Sequence, residues 1–273
     1  MKFFTSTVLI FFILTGFSPE KDHWKKNFPV KTEFPKEIPL TKNVWVFIMA
    51  GQSNMAGRGF IEPQDTLPSG RILTINSTGK LVLAKEPIHF YETDMSGLDC
   101  GISFAFKLLK HTPDSVSILL VPTAVGGSSV SQWLGDSLHR DVKLLSNFQE
   151  KTEIAKRYGQ IKGILWHQGE SDANQKSIPE YEAKLSSLFS RFRFIADNKS
   201  LPILTGEIGL FKADNTMQKL INQKIQEYAS KDTSTYLIRT GDFKNRGDQL
   251  HFNTKSQRLM GKRFAKMFID LTR

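Results

Sequence analysis

Five short apolar runs recur along the chain, and stretches of helical periodicity follow them. The apolar runs cover 44–50, 116–123, 161–166, 202–207 and 235–239. The helical patterns cover 102–111, 137–158, 179–197, 215–230 and 254–271. Because strands that alternate with helices form βαβ units, this order predicts an α/β fold with a parallel sheet of about five strands. The near-continuous apolar character of the runs indicates that helices cover both faces of the sheet.

The last helical pattern has the clearest boundaries. Thr254 and Gln257 have the spacing of a capping box, which predicts that the helix begins there. An apolar stripe then recurs at helical spacing, formed by Met260, Phe264, Met267, Phe268 and Leu271. We expect this stripe to pack on the sheet, while the basic residues between its members face solvent.

Residues 58–99 interrupt the alternation as a long irregular insertion. Within it, the apolar segments 72–75 and 80–83 flank a polar stretch that contains Gly79, which predicts a small hairpin. We expect the insertion to lie near the mouth of a site at the carboxyl edge of the sheet.

The N-terminal segment has an export pattern. Residues 1–18 combine Lys2 with an apolar stretch at 8–14 and end in small residues, as a secretory signal peptide does. This stretch is shorter than the roughly 20 residues that span a bilayer, so we expect no stable membrane anchor, with an uncleaved N-terminal anchor as the alternative. Residues 19–43 have the composition of an extended leader to one domain at 44–273. The expected location is the periplasm or the cell exterior.

Composition argues against several other classes of protein. The net charge is +10, but the basic residues are spread along the chain and mixed with acids, so we expect no nucleic-acid partner. Cys100 is the only cysteine, which excludes an intrachain disulfide and is typical of a small buried residue. No His, Cys, Asp or Glu side chains have a familiar ligand spacing, so we expect no metal and no other cofactor. The oligomeric state is not determined by the sequence.

A serine stands where the first apolar run would turn into a helix. Ser53 follows the run 44–50 within the segment 51–57. A strand end that leads into a helix exposes a hydroxyl above a parallel sheet, and the free N–H groups of the first helical turn face any negative charge that develops there. Ser53 is therefore a candidate nucleophile.

A base and its partner are available near the C-terminus. Asp248 precedes His251 by three residues on the loop before the last helix. An aspartate at this spacing can curl back to accept from the imidazole Nδ1–H, which leaves Nε2 free to take a proton from a serine. Taken alone, this spacing is a weak signal and is more typical of a helix-capping aspartate with a surface histidine. Combined with Ser53, it becomes a much stronger one.

Two further segments follow the second and third strands and supply candidate donors to an oxyanion. Gly126 and Gly127 allow a tight turn whose N–H can approach an oxyanion, although an ordinary strand-to-helix turn has the same composition. Gln168 has a side-chain amide that can donate to the same oxygen, or bond nearby backbone instead. Trp133 and Trp166 could stack on a sugar ring, but core packing is the more typical role.

Four motifs, in this order, carry a resemblance to a known family. They are GQSNMAGRG at 51–59, GGSSVSQW at 126–133, WHQGESD at 166–172 and DQLH at 248–251. Together they resemble carbohydrate esterase family 6 and the sialate O-acetylesterase-like domains of the SGNH hydrolase superfamily. The resemblance extends over roughly 44–271 and implies a flavodoxin-like, three-layer α/β/α fold that removes acetyl groups from sugars without a metal.

The resemblance also assigns roles to residues. It implies that Ser53 is the nucleophile, His251 the base and Asp248 the partner of His251. The oxyanion donors would be the N–H groups of Ser53 and Gly127 and the Gln168 side-chain amide. Glu170 is the competing acid. It would either replace Asp248 as the partner of His251 or act as a structural carboxylate that holds the Ser53 loop or pairs with Arg58.

The sequence therefore predicts a secreted serine carbohydrate esterase that works through an acetyl-serine intermediate on an acetylated carbohydrate. Acetylxylan-type and sialate-type substrates are not distinguished at this point. Two alternatives remain: a catalytically silent carbohydrate-binding or scaffold protein on the same fold, and a general short-chain esterase or lipase.

Overall fold

A computed structural model describes residues 31–272 of the chain. The predicted signal peptide at 1–18 and the leader residues 19–30 lie outside the described residues. Within 31–272, no helix combines the length and apolar character needed to cross a membrane.

The strands form one large sheet and one small hairpin. In chain order they are β1 (Val44–Gly51), β2 (Ile72–Ile75), β3 (Leu81–Leu83), β4 (Ser117–Pro122), β5 (Leu138–His139), β6 (Val142–Lys143), β7 (Gln160–His167), β8 (Ile203–Gly206) and β9 (Thr235–Ile238). The large sheet has seven strands in the order β3-β2-β4-β1-β7-β8-β9. All of its pairings are parallel except β2 with β3. The carboxyl ends of β4, β1 and β7 therefore lie side by side at the middle of one edge.

Helices cover both faces of this sheet. They are α1 (Ser53–Ala56), α2 (Gly101–Leu109), α3 (Val130–Leu134), α4 (Leu144–Lys156), α5 (Ile178–Ile195), α6 (Thr216–Lys231) and α7 (Thr254–Leu271). Helices α3 to α6 pack on one face, where Phe148 and Phe189 are buried in the first core. Helices α1, α2 and α7 pack on the other face, where Phe104 and Phe264 are buried in the second core. The three-layer α/β/α architecture is confirmed.

The prediction of about five strands was too low. The hairpin predicted at 72–75 and 80–83 is present, but β2 pairs in parallel with β4 and so extends the sheet at one edge. Short apolar strands with unpaired backbone groups are stabilised by joining an existing edge. The hairpin thus belongs to the sheet, and other parts of the insertion reach the site described below.

The helix predicted over 137–158 begins later than expected. Residues Leu138 to Lys143 form the β5–β6 hairpin, and α4 begins at Leu144. The turn residues Arg140 and Asp141 have φ values of 49° and 62°, as a tight two-residue hairpin turn requires. Periodicity does not reveal such a short hairpin because its apolar residues also fit a helical face.

Helix α7 confirms only part of the predicted stripe, since Leu271 is exposed and Met267 is half-buried, and the predicted cap is wrong. Met260, Phe264 and Phe268 are buried. The N-cap is Asn253, whose side chain accepts from the Ser256 N–H at 2.9 Å. The helix lies very close to α2, since a Cβ added at Gly261 would be 2.1 Å from the Cys100 carbonyl oxygen. Only glycine permits this approach.

Candidate active site

Ser53 is the first residue of α1, and only Gln52 separates it from the end of β1. The turn depends on Gly51, which has a φ of 133°, and a Cβ there would lie 2.1 Å from the backbone oxygen of His167. The ends of β1 and β7 are in contact at this glycine. Ser53 is 6% exposed, so little of this residue is accessible to solvent.

The structure brings His251 to this serine. His251 Nε2 lies 3.0 Å from Ser53 Oγ, and His251 Nδ1 lies 2.7 Å from Asp248 Oδ2. The other oxygen of Asp248 accepts from the backbone N–H groups of His251 at 2.8 Å and Leu250 at 3.0 Å. An ionised carboxylate has no donor, so Nδ1 carries the proton and Nε2 is free to accept from the serine hydroxyl.

Asp248 is held in its charged form by these contacts. Partial burial raises the pKa of the carboxyl, but the hydrogen bonds from the backbone and ring of His251 outweigh it and hold the pKa below its usual range. The aspartate is therefore a permanent anion beside the imidazole at neutral pH.

Glu170 lies on the other side of Ser53 and has a different partner. Its Oε1 accepts from Asn54 Nδ2 at 2.6 Å and lies 3.8 Å from His167 Nδ1. Within residues 31–272, no hydrogen bond joins Glu170 to His251, and Arg58 pairs with Glu92 instead. Of the arrangements that the sequence left open, the one observed is the carboxylate that holds the Ser53 loop.

Asn54 connects Glu170 to the segment that follows His251, and no role was predicted for it from the sequence. Its Nδ2 donates to Glu170, and its Oδ1 accepts from the Phe252 N–H at 2.9 Å. Its backbone oxygen accepts from Gln257 Nε2 at 2.8 Å. The signals in the sequence were its position next to Ser53 and its place in the motif at 51–59.

Gly127 presents a backbone N–H at the same edge. It is exposed and has a φ of 76°. Among the hydrogen bonds of residues 31–272, its N–H has no acceptor. The N–H of Ser53 also has no intrahelical acceptor, because it belongs to the first turn of α1. These two donors are available to an incoming oxygen atom.

Gln168 lies at the end of β7, but its amide is already engaged. Its Nε2 is 2.5 Å from Asp172 Oδ2 and 3.2 Å from both Gln52 Oε1 and the Ser128 carbonyl. Its Oε1 accepts from the Tyr181 hydroxyl at 3.1 Å. An amide has two N–H donors, so a substrate oxygen would have to displace one of these acceptors. The role of Gln168 as an oxyanion donor stays a prediction.

A cluster of charges lies next to the Gly127 loop. Glu92 pairs with Arg58 at 2.8 Å and with Arg140 at 3.2 Å. Arg58 and Glu92 are buried, whereas the Arg140 side chain is 44% exposed. A Cβ added at Gly127 would lie 3.9 Å from Arg140 Nη2. Two guanidinium groups share one carboxylate here, so the cluster has excess positive charge beside the site.

Other candidate residues have structural roles. Trp133 and Trp166 are fully buried, with ring centroids 5.5 Å apart, so neither is available to a sugar ring. Cys100 is buried, and burial raises the pKa of its thiol. No three His, Cys, Asp or Glu side chains within 31–272 are grouped so that they could hold a metal ion.

Comparison with known proteins identifies a matching family model and similar chains. A family model described as "Carbohydrate esterase, sialic acid-specific acetylesterase" matches residues 43–270. A probable carbohydrate esterase of Arabidopsis thaliana is 28% identical over 261 residues, covering 88% of this chain and 95% of that protein. The X-ray structure of that Arabidopsis protein matches with a TM-score of 0.74 at 26% identity, covering 84% of this chain and 98% of the other.

Two further crystal structures are similar in fold. NanS matches with a TM-score of 0.67 at 16% identity, covering 86% of this chain and 99% of its own. A carbohydrate acetylesterase from Xanthomonas citri matches with a TM-score of 0.61 at 19% identity, covering 82% of this chain and 55% of its own.

Proposed function

Since the chain belongs to the sialic acid-specific acetylesterase family of carbohydrate esterases, we propose that it removes O-acetyl groups from sugars by a serine mechanism. The observation that carries the proposal is the hydrogen-bonded series from Ser53 Oγ to His251 Nε2 at 3.0 Å and from His251 Nδ1 to Asp248 at 2.7 Å. A nucleophile, a base and an orienting acid in contact are the minimum set for acyl transfer.

In the first half of the reaction, the Ser53 oxygen attacks the acetyl carbonyl carbon while His251 Nε2 takes the hydroxyl proton. The carbonyl oxygen becomes an oxyanion, which the N–H groups of Ser53 and Gly127 stabilise. The intermediate collapses as the bond to the sugar oxygen breaks, and His251 gives its proton to that oxygen. In the second half, water attacks the acetyl-serine with His251 again as base, and acetate leaves.

Gln168 and Glu170 have supporting roles in this scheme. Gln168 would join the oxyanion donors by exchanging one of its three present acceptors for the oxyanion. Glu170 holds Asn54, which places α1 against the backbone of Phe252. Asp248, rather than Glu170, is the acid that orients the imidazole.

The charge of the site favours an acidic sugar. Arg140 is partly exposed beside Gly127, and Glu92 neutralises only one of the two guanidinium groups that it contacts. A carboxylate on the substrate would supply the missing negative charge, whereas a neutral xylan chain would not. We therefore propose an O-acetylated sugar acid of the sialate type as substrate.

We further propose that the protein is secreted or periplasmic, because residues 1–18 have the pattern of a signal peptide. N-terminal sequencing of the mature protein from the exported fraction tests this. A new N-terminus shortly after residue 18 is the expected result, and retention of Met1 on protein in the cytoplasm would contradict it.

The experiment that tests the function is acetate release from O-acetylated sialic acid, from acetylated xylo-oligosaccharides and from 4-nitrophenyl acetate. Wild type and Ser53→Ala are compared. We expect release from the sialic acid that falls on the order of 10⁶-fold in the variant. A matched Arg140→Gln variant should raise KM for the sialic acid about tenfold and leave 4-nitrophenyl acetate unaffected.

Each alternative has its own outcome. Activity on the aryl ester alone would indicate a general short-chain esterase. Activity on xylo-oligosaccharides but not on the sialic acid would overturn the acidic substrate and keep the mechanism. No activity on any of the three, with sugar binding retained, would indicate a carbohydrate-binding protein.

A further inference from the structure

The peptide bond between Gly126 and Gly127 has a hydrogen-bonding group on each of its two sides. Its N–H is the Gly127 donor of the proposed oxyanion site. Its carbonyl oxygen, on Gly126, accepts a hydrogen bond from His139 Nε2 at 2.9 Å. His139 is half-buried on the β5–β6 hairpin, and a Cβ added at Gly127 would lie 3.7 Å from its Nε2. The histidine therefore contacts the oxyanion peptide from the side opposite its N–H.

The hydrogen bonds of His139 determine which of its ring nitrogens carries the proton. Gln132 Oε1 accepts from the Ser129 N–H at 2.8 Å and from the Ser129 hydroxyl at 3.2 Å. This fixes the orientation of the Gln132 amide, whose Nε2 lies 3.3 Å from His139 Nδ1. Since Gln132 donates to Nδ1, the neutral imidazole carries its proton on Nε2 and donates it to the Gly126 carbonyl.

The preceding peptide is held by a buried carboxylate. Glu92 Oε2 accepts from the Gly126 N–H at 2.5 Å and from Arg58 Nη2 at 2.8 Å. Glu92 is 4% exposed and Arg58 2%. A Cβ added at Gly126 would lie 2.3 Å from Arg58 Nη2 and 2.6 Å from both Glu92 oxygens. The ion pair thus packs directly against the Gly126 backbone and fixes it in place.

These contacts form one series of hydrogen bonds that ends at the oxyanion position. An amide whose carbonyl accepts a hydrogen bond is polarised, and its N–H becomes a stronger donor. A donor that is already oriented also needs no reorganisation when charge develops. Both effects act on the Gly127 N–H and appear in the transition state rather than in substrate binding.

Resting on the proposed function, we propose that His139 is a positioning residue that orients and polarises the Gly127 N–H, with Glu92 anchoring the peptide before it. This also gives the β5–β6 hairpin a purpose. The hairpin carries both His139, in β5, and Arg140, in the turn. One element would therefore contact both the oxyanion peptide and the negative charge of the substrate.

The test compares His139→Phe, which keeps a ring but has no donor, with His139→Gln, which places an amide donor near the position of Nε2. The substrate is 4-nitrophenyl acetate, which has no carboxylate and so does not depend on Arg140. Loss of an oxyanion donor lowers turnover by about 10²–10³, and here the donor is only misaligned. We expect kcat to fall about tenfold in His139→Phe, with KM changed less than about twofold, and to be largely restored in His139→Gln.

The control is His111→Phe, which removes an exposed imidazole near the C-terminal end of α2 and should behave as wild type. Equal kcat in wild type and His139→Phe, equal losses in the Phe and Gln variants, or an effect confined to KM would each overturn the proposal. If thermal melting shows that His139→Phe is unfolded, His139→Met takes its place in the same comparison.

The proposed function fails separately from this inference. If wild type and Ser53→Ala hydrolyse the aryl ester equally, the serine mechanism is wrong and no oxyanion role for His139 remains. If Ser53→Ala is inactive and His139→Phe is fully active, the mechanism stands and only the role of His139 is lost.

Discussion

The two halves of the candidate site are held in place by different means. The nucleophile half consists of Ser53, Gly127 and Gln168 at the ends of three adjacent strands. Its side chains and turns are fixed by contacts between segments far apart in the chain, such as that between Gly51 and the His167 backbone. The base half is the loop 245–251, most of which is exposed.

The base loop is organised almost entirely by its own residues. The Asn245 side chain accepts from the N–H groups of Gly247 and Gln249, and Asp248 accepts from those of Leu250 and His251. The position of the candidate nucleophile therefore depends on packing between distant segments, whereas the position of the candidate base depends on hydrogen bonds within one short segment. Changes in the first half should alter stability and rate together, and changes in the second should alter rate with a smaller loss of stability.

Within the base half, the largest effect should follow from Asp248→Asn. The amide removes the charge that orients His251 and offers an N–H where the imidazole needs an acceptor. We expect kcat to fall about 10⁴-fold, while the melting temperature changes little. Steady-state kinetics and thermal melting measure both. Glu170→Gln is the matched control and should lose no more than about tenfold; a larger loss than in Asp248→Asn would make Glu170 the acid.

A pair of glycine substitutions compares the stability of the two halves directly. Gly51→Ala combines a positive φ with a backbone clash at 2.1 Å, and we expect a loss of at least about 3 kcal/mol in the free energy of unfolding. Gly247→Ala has a φ of 109° but nothing within 4 Å, so about 1 kcal/mol is expected. Urea unfolding measures both. Equal losses would show that the base loop is as tightly coupled to the core as the β1 turn.

Arg246 is the main side-chain tie between the base loop and the insertion. It donates to Asp248 Oδ2 at 3.0 Å and to the Arg58 carbonyl at 2.8 Å. We expect Arg246→Ala to lower kcat/KM about tenfold with little loss of stability, because the pair is partly exposed. Arg263→Ala removes a comparable pair with Asp242 and is the control. Unchanged activity in Arg246→Ala would show that the loop needs no external support.

The smallest expected effect is on the pH dependence of stability. Asp172, which contacts the nucleophile half, and Asp248, in the base half, contribute to it with opposite signs. Burial raises the pKa of Asp172, which accepts from the Val130 N–H and the Gln168 amide. The folded state then holds a proton that the unfolded chain has lost, so Asp172 adds stability as pH falls towards about 4. The lowered pKa of Asp248 has the opposite sign: its contribution is present above about pH 4 and is lost below it.

Urea midpoints of wild type, Asp172→Asn and Asp248→Asn from about pH 7 to about pH 3 check these signs. The difference between wild type and Asp172→Asn should shift in favour of wild type as pH falls to about 4. The difference from Asp248→Asn should stay constant and then shrink at the acid end. The same slope in both variants would contradict the assignment.

The same contrast explains what the sequence could predict. The contact of Asp248 with His251 is local, so three-residue spacing was sufficient to predict it. Ser53 was a candidate because a strand end and a helix start are visible in the pattern. The α/β architecture followed from alternation alone. The seven-stranded sheet could not be predicted in this way, because β2 pairs with β4, which lies far along the chain.

Residues that act through tertiary contacts were missed. Glu92 and His139 lie in none of the four motifs, and Asn54 lies in the first motif without a predicted role. Each is recognised only by the segment that it contacts. Gln168 was predicted only in part. Its position at a strand end was clear, but its burial among three acceptors was not.

The separation of Ser53 from His251 by 198 residues has a consequence for biosynthesis. Ser53 is synthesised early in translation and His251 late. Helix α7 follows His251 and packs against α2 at Gly261. A nascent or truncated chain that lacks the C-terminal segment therefore carries the serine without its base. Under the proposed serine mechanism, hydrolysis requires that synthesis has passed His251, so chains that end before it would be inactive.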